Sequence, residues 1–487
     1  MITLRGGAAR LCDQTRRRDM LHIGGLGLLG LGLPALLGGH SVQAAGGLSS
    51  NSAGAHIVSS PGRAKSCILL FLMGGAPQHS TWDPKPDAPA EVRGDFGPID
   101  TRVPGMRIGS LLPKLATVAD KLCLLRAVST DDNAHSSSGY YMLTGRPHVP
   151  MNRENANPGA PNDWPCLAAV AQRLMASRGE LPAAVRLPKH IFNTDGSVWP
   201  GQDAGFLGRN ADPWLFRCEP ASANYHIPEF HLPVDVPAER LEQRQSLLRL
   251  YNRRLDEAER TGAIGAYDQQ TQRAFNLLGS ARSRSAFNLE METQATRERY
   301  GMTQFGQSTL LARRLVEAGV RLVQVNWFRG PEEPSDAPCW DSHSKESDRL
   351  KNVLMPPLDA AFSALIEDLD GRGLLDETLV VCLSEFGRTP RFNGRAGRDH
   401  WGPVFSIALA GGGVRGGMIH GSSDRLGAQP RDGRVRPEDV TATILHCLGY
   451  APGTAFLDAQ GRTFPVSRGD VLESTLASSF SPKAPPQ

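Results

Sequence analysis

The chain has 487 residues, 40% of them hydrophobic and 21% charged, a composition that suits a globular protein with a sizeable core and excludes a disordered or collagen-like one. Its formal charge of +3 resides in residues 1–45, where Arg5, Arg10, Arg16, Arg17 and Arg18 face only Asp13 and Asp19, so the rest of the chain is neutral. A neutral body lacks the electrostatic footprint of a nucleic-acid or anionic-membrane binder, and neither is expected as a partner.

Residues 1–45 read as a secretory signal: a charged start, an uncharged apolar run over 23–37, and Val42-Gln43-Ala44 as a small-residue cleavage site. Arg17-Arg18-Asp19-Met20-Leu21 fits the twin-arginine pattern, which predicts export in the folded state by the twin-arginine translocase, to the periplasm or cell surface. The apolar run is shorter than the ~20 residues that a spanning helix needs, so the mature chain is expected to carry no transmembrane span. Residues 46–64, rich in Gly, Ser and Ala, read as a linker, 65–477 as the folded domain, and 478–487 as a disordered tail. Of eight cysteines, one in the leader, no two form a Cys-x-x-Cys pair, which argues against a zinc ribbon or redox motif. Cys67, Cys382 and Cys447 read as small buried residues.

Short continuous apolar runs recur at 67–73, 122–128, 322–327, 379–383 and 405–409, as expected of strands buried on both faces. Amphipathic helical stretches lie between and after them, at 108–120, 163–177, 303–318, 356–369 and 437–448. This alternation predicts an α/β fold with a mostly parallel sheet sandwiched by helices. Residues 147–298, Pro/Trp/Asn-rich and then charged and helical over 237–278, depart from the pattern and read as a partly helical insertion.

In open α/β sheets ligands sit beyond the carboxyl ends of the strands, so the polar residues after each run are the candidates. Ser384-Glu385-Phe386-Gly387-Arg388-Thr389-Pro390 and Gly397-Arg398-Asp399-His400-Trp401 follow one run, and Trp340-Asp341-Ser342-His343 follows another. Asp341, His343, Glu385 and His400 thus supply carboxylate and imidazole ligands suited to zinc, manganese or another divalent cation. Asp399 is a weaker candidate, and Glu385 has a second reading as a salt bridge to Arg388 across one helical turn. A third run leads into Asp131-Asp132-Asn133-Ala134-His135-Ser136-Ser137-Ser138-Gly139, whose serines suit a helix cap with an anion at its N-terminus. At this position His135 is open to three roles: metal ligand, nucleophile or general base. His79 and Asp83 lie shortly after the first run as further ligand candidates.

The segment from His135 through Tyr140-Tyr141-Met142-Leu143-Thr144-Gly145-Arg146 resembles the sulfatase signature, with His135 in the place of the modified Cys or Ser nucleophile. The stretch 436–449 resembles the sulfatase helix that leads into a Leu-Gly turn. Together with the leader, Pro84-Lys85-Pro86 after Asp83, and the two motifs around Arg388 and His400, nearly the whole chain resembles the domain-of-unknown-function 1501 family. That resemblance implies an alkaline-phosphatase-like fold with one or two divalent ions, of zinc, manganese or calcium, and an anionic small-molecule or glycan substrate. It implies Asp341, His343 and His400 as one ligand set, with His135 and Arg388 catalytic. The second set departs from the superfamily: Met73-Gly74-Gly75 stands where a carboxylate is usual, and Phe386 where a histidine is. Two readings follow. One is an exported metal-dependent hydrolase of phosphate or sulfate esters; the other is a non-catalytic cell-surface binding protein with a degenerate second metal site.

Overall fold

Ser66–Phe71 is buried at all six positions, because a strand covered on both faces has no solvent side on which to place a polar residue. In the computed structural model, which describes residues 62–176, 181–223, 225, 281–327, 339–458 and 460–477, this strand lies inside the central sheet. The described residues all fall in one compact unit of the chain. The leader, most of the linker, the charged stretch 237–278 and the tail lie outside them.

Eight strands form one sheet: β1 (Ser66–Phe71), β2 (Leu122–Val128), β3 (Ala184–Leu187), β4 (Trp214–Leu215), β5 (Leu322–Asn326), β6 (Thr378–Leu383), β7 (Phe405–Ala410) and β8 (Met418–His420). Their spatial order is β8-β2-β7-β6-β1-β5-β3-β4. β1 pairs in parallel with β5 and β6, with Leu70 opposite Val325 on one side and Cys382 on the other. Only β7 is reversed, antiparallel to both β2 and β6. The mostly parallel sheet and all five predicted strand runs are therefore present. β3, β4 and β8 were not predicted: β3 carries Arg186 within four residues, and the other two span only two and three. β3 and β4 arise from the stretch read as an insertion, so that part of it extends the sheet itself.

Five longer helices flank the sheet: α1 (His135–Thr144), α2 (Leu167–Leu174), α3 (Gln304–Glu317), α4 (Met355–Gly371) and α5 (Pro437–Cys447). α3 begins where Thr303 Oγ1 accepts from Gly306 N at 3.1 Å, and α5 where Asp439 accepts from Arg436 N at 2.9 Å with Pro437 in the first turn. The helix expected over 108–120 is a short strand, Arg107–Gly109, followed by a helix confined to Pro113–Thr117. Pro113 lacks an N–H and is tolerated only in a first helical turn, so no helix runs through it. Asp359 of α4 accepts from Lys114 N and Leu115 N at 3.0 and 2.8 Å, capping this short helix from another element. Among the described residues, no helix is long and apolar enough to cross a membrane. Cys67, Cys382 and Cys447 are buried, as expected.

The packing of α3 on α4 encloses a charged cluster. Arg313, 0% exposed, meets Glu292 at 2.7 Å, Glu317 at 2.7 Å and Asp368 at 2.9 Å, while Tyr300 donates to Asp368 at 3.0 Å. Removing Arg313 takes the fully buried cation out of the cluster and leaves Glu292 to Arg314, and Asp368 to the more exposed Arg372 and Arg299. Arg313→Ala is expected to lower stability by about 3–5 kcal/mol in a denaturant titration. Lys65→Ala, which breaks an exposed pair with Glu377, should change it by less than about 1 kcal/mol.

Candidate metal centre

Parallel strands deliver their carboxyl ends to one edge of the sheet, and the residues after β1, β2, β5 and β6 bring Gly74, His135, Asp341 and Glu385 there. β7 runs the other way, so the residues just before it reach the same edge. His400 pairs with Arg388 in a two-residue antiparallel ladder, His400–Trp401 against Gly387–Arg388. This extended backbone is why Glu385 and Arg388 do not form the salt bridge expected of a helical turn: Arg388 turns instead to Asp341, with Nη2 2.5 Å from Oδ1.

Asp341 is the centre of the cluster. Its Oδ1 lies 3.0 Å from His343 Nε2 and 3.1 Å from His400 Nε2, and those two nitrogens are 2.9 Å apart. Its Oδ2 lies 3.2 Å from His135 Nε2. The other nitrogen of each ring is pinned. His343 Nδ1 meets Asp399 Oδ1 at 2.8 Å, His400 Nδ1 donates to Asn133 O at 2.7 Å, and His135 Nδ1 meets Glu385 Oε1 at 2.7 Å. An acceptor on Nδ1 fixes the tautomer and turns Nε2 towards a ligand, the usual outer arrangement of metal-binding histidines. His135, Asp341 and His400 also place ligand atoms within 4.8 Å of one another. These donors fit a borderline divalent cation, and a second observation agrees. Glu385 is 0% exposed, and its Oε2 has no hydrogen-bond partner among the described residues. A buried carboxylate oxygen left so is costly unless positive charge stands nearby.

The charges are strongly coupled. Burial raises the Asp341 carboxyl, but the cations at His135 and Arg388 outweigh it and hold it well below the usual carboxylate range. Burial alone would keep His135 neutral, yet Asp341 and Glu385 raise it to about 10. Burial and then the His135 charge push His400 down to about 3. Asp399 stays low despite burial because His343 and Asn393 donate to it.

Two expected site residues also bond to the backbone around the cluster. Glu385, read as a ligand, accepts from Gly74 N at 2.8 Å as well as facing His135. Arg388, read as catalytic, is wholly buried and spends its other donors on the carbonyls of Gly74, Gly75 and Arg398. The weaker candidates His79 and Asp83 are held elsewhere. His79 Nε2 donates to Leu426 O at 2.8 Å, and Asp83 pairs with Lys85 at 2.9 Å and with Ser423. The three serines do not cap α1, whose N-cap is Ala134. Ser136 donates to Arg153 O at 2.9 Å, Ser137 to Asp132 at 2.9 Å and Ser138 to Glu385 O at 2.6 Å. Asn133 and Glu154 were missed. Asn133 lies in the Asp-Asp-Asn run and orients His400. Glu154, which no local pattern marks, accepts from His135 N at 2.9 Å and lies 3.7 Å from His400 Nδ1.

The diglycine after β1 has a steric reason. Gly74 has φ +115°, and a side chain there would come within 2.3 Å of Asp341 N; at Gly75, φ +86°, it would strike the Phe386 ring. The absence of a Cβ lets the Asp341 backbone pass close to the end of β1.

Fold and site together define an α/β protein with a histidine-rich candidate metal centre at the carboxyl edge of its sheet. The chain belongs to the family described as protein of unknown function (DUF1501), whose model matches residues 64–476. No curated protein matches it. Among solved structures it is similar to an alkaline phosphatase superfamily protein from Vibrio parahaemolyticus, with 12% identity and a TM-score of 0.38 over 87% of this chain and 74% of that one. It is also similar to the phosphonate monoester hydrolase SpPMH from Silicibacter pomeroyi, with 12% identity and a TM-score of 0.38 over 86% and 78%. The PsFucS1 sulfatase from Pseudoalteromonas sp. matches with 12% identity and a TM-score of 0.34 over 75% and 66%.

Gly74→Ala is expected to displace Asp341 and cut bound metal at least about tenfold, a loss of roughly 1.4 kcal/mol, while the circular dichroism spectrum is kept. Elemental analysis of dialysed protein reads the change.

Proposed function

We propose that this protein is an exported, metal-dependent hydrolase of phosphate or sulfate esters. The observation that carries the reading is the convergence of His343 Nε2 and His400 Nε2 on Asp341 Oδ1, at 3.0 and 3.1 Å, with both Nδ1 atoms pinned from behind. Asp341, His343 and His400 would hold one divalent ion. Two imidazoles and a carboxylate favour zinc or manganese over calcium, which takes oxygen ligands. Three protein ligands leave a position open to substrate or water, as catalytic sites require. A divalent ion there supplies charge to the phosphoryl or sulfuryl oxygens and acidifies water.

The roles of the chain's own residues follow from their contacts. Arg388 positions Asp341 and does not reach substrate. Asp399 and Asn133 orient the two ligating imidazoles. His135 faces a carboxylate oxygen with each nitrogen, so it offers no lone pair for attack, and the nucleophile is water. Held between Glu385 and Asp341, His135 positions the ligating carboxylate. Export rests on the twin-arginine leader, and the anionic substrate, small molecule or glycan, on the positive charge that a bound divalent ion would supply.

Two measurements check the reading. Native protein is expected to carry about one equivalent of metal, lost in the His343→Ala, His400→Ala double variant together with hydrolysis of p-nitrophenyl phosphate or sulfate. Full activity in chelator-treated protein would overturn it, and absence of metal from both proteins would favour the binding-protein alternative. His135→Ala is expected to slow alkyl and p-nitrophenyl esters alike, by about 10–100-fold, as the loss of a positioning contact would; a loss confined to alkyl esters, whose leaving group needs a proton, would overturn the positioning role.

A further inference from the structure

The three imidazoles of the centre differ in how firmly their Nδ1 atoms are held. His400 Nδ1 donates to a main-chain carbonyl, Asn133 O, and His135 Nδ1 meets Glu385, a carboxylate that is wholly buried. His343 Nδ1 meets Asp399, whose side chain is 53% exposed. A carboxylate in water is free to turn and an exposed pair of this kind holds weakly, so Asp399 needs an anchor of its own before it can fix an imidazole.

Asn393 supplies it. Its Nδ2 donates at 3.0 Å to Asp399 Oδ1, the oxygen that also meets His343 Nδ1, and at 3.0 Å to His343 O. Its Oδ1 accepts from Arg395 N at 2.9 Å and from Gly397 N at 3.1 Å. The amide is satisfied in this orientation alone: turned over, its NH2 would face two N–H donors, and its oxygen a carbonyl and a carboxylate. The turn that Asn393 closes also lies along the segment that carries His343. Lys345 N donates to Arg395 O at 3.2 Å, Glu346 N to Ala396 O at 2.9 Å and Arg398 N to Ser342 O at 3.1 Å. Gly397 permits this approach, since a Cβ there would come within 2.1 Å of the His343 carbonyl carbon.

We infer that Asn393 is a positioning residue of the metal centre: its one amide sets the Asp399 carboxylate against the His343 ring and ties the His343 backbone to the segment that carries His400. This role rests on the hydrolase reading for the ligation of metal by His343, but it shows in metal binding, independently of turnover.

The test uses the full mature chain. Asn393→Asp keeps an oxygen for Arg395 N and Gly397 N and replaces the NH2 donor with a second carboxylate oxygen. Zinc affinity, measured by competition with a chromophoric chelator, is expected to fall about 10–100-fold. The visible absorption of the cobalt-loaded protein should change in position or intensity as His343 leaves its place, while the circular dichroism and melting temperature of the metal-free protein are kept. In an Asp399→Ala background, where the ring has already lost its anchor, Asn393→Asp should cost less than about a further threefold, because two residues that act through one contact are not additive. Asn393→Ala, at a half-buried loop position, takes its place if Asn393→Asp fails to fold. Unchanged zinc affinity and cobalt spectrum, or equal losses in both backgrounds, would overturn the positioning role. The expected losses in a chain that hydrolyses no ester would support Asn393 and sink the hydrolase reading alone, whereas a wild-type chain that binds no metal overturns both.

Discussion

One nearly buried carboxylate, Asp341, sets the terms for the whole carboxyl edge of the sheet. An ionised carboxylate in such a place must be compensated, and four nitrogens from three separate chain segments compensate it: His343 Nε2, His400 Nε2, His135 Nε2 and Arg388 Nη2. Each of these has its own anchor. Arg388 is tied to the carbonyls after β1, His135 to Glu385, His343 to Asp399 and His400 to the Asn133 carbonyl. The backbone is fitted to the same residue, since only glycine at 74 lets the Asp341 peptide approach the end of β1.

The topology serves this convergence. A purely parallel sheet would send the residues before β7 to the opposite edge; its reversal brings them back to face those after β6. The loop between them is long, and Arg398 stiffens it. That guanidinium is 0% exposed, pairs with Glu346 at 2.8 Å, donates to Thr389 O at 2.9 Å and Val92 O at 2.8 Å, and stacks 4.1 Å from the Phe392 ring. Loop residues held this firmly can present imidazoles with the constancy of residues on regular elements, which a ligand set needs.

The sheet's centre was legible because strands buried on both faces leave unbroken apolar runs, as in β1, β2, β5, β6 and β7. Its edges were not. β3 hides Arg186 within a four-residue strand, and β4 and β8 are too short to carry a pattern. At the site, the position of Asp341, His343 and His400 after predicted strands was readable, since open α/β sheets place ligands there. Their partners were not, because a hydrogen bond from His400 to a main-chain carbonyl at Asn133 depends on no side-chain identity. Glu385 shows the same limit. Its place at a strand end marks it as chemically interesting, but its assignment to His135 and Gly74 depends on the extended pairing of Gly387–Arg388 with His400–Trp401.

That assignment also shows how the surroundings of His135 are built. Gly74 presents its N–H to Glu385 Oε1, and Phe386 stacks on His400, ring centroids 4.6 Å apart. His135 lies between Glu385 and Asp341, 4.9 Å from the Phe386 ring, with its charge raised by the two carboxylates it joins. Glu385 and Asp341 thus meet one shared imidazole, so that the two carboxylates of the cluster are held in register by a side chain that contacts both.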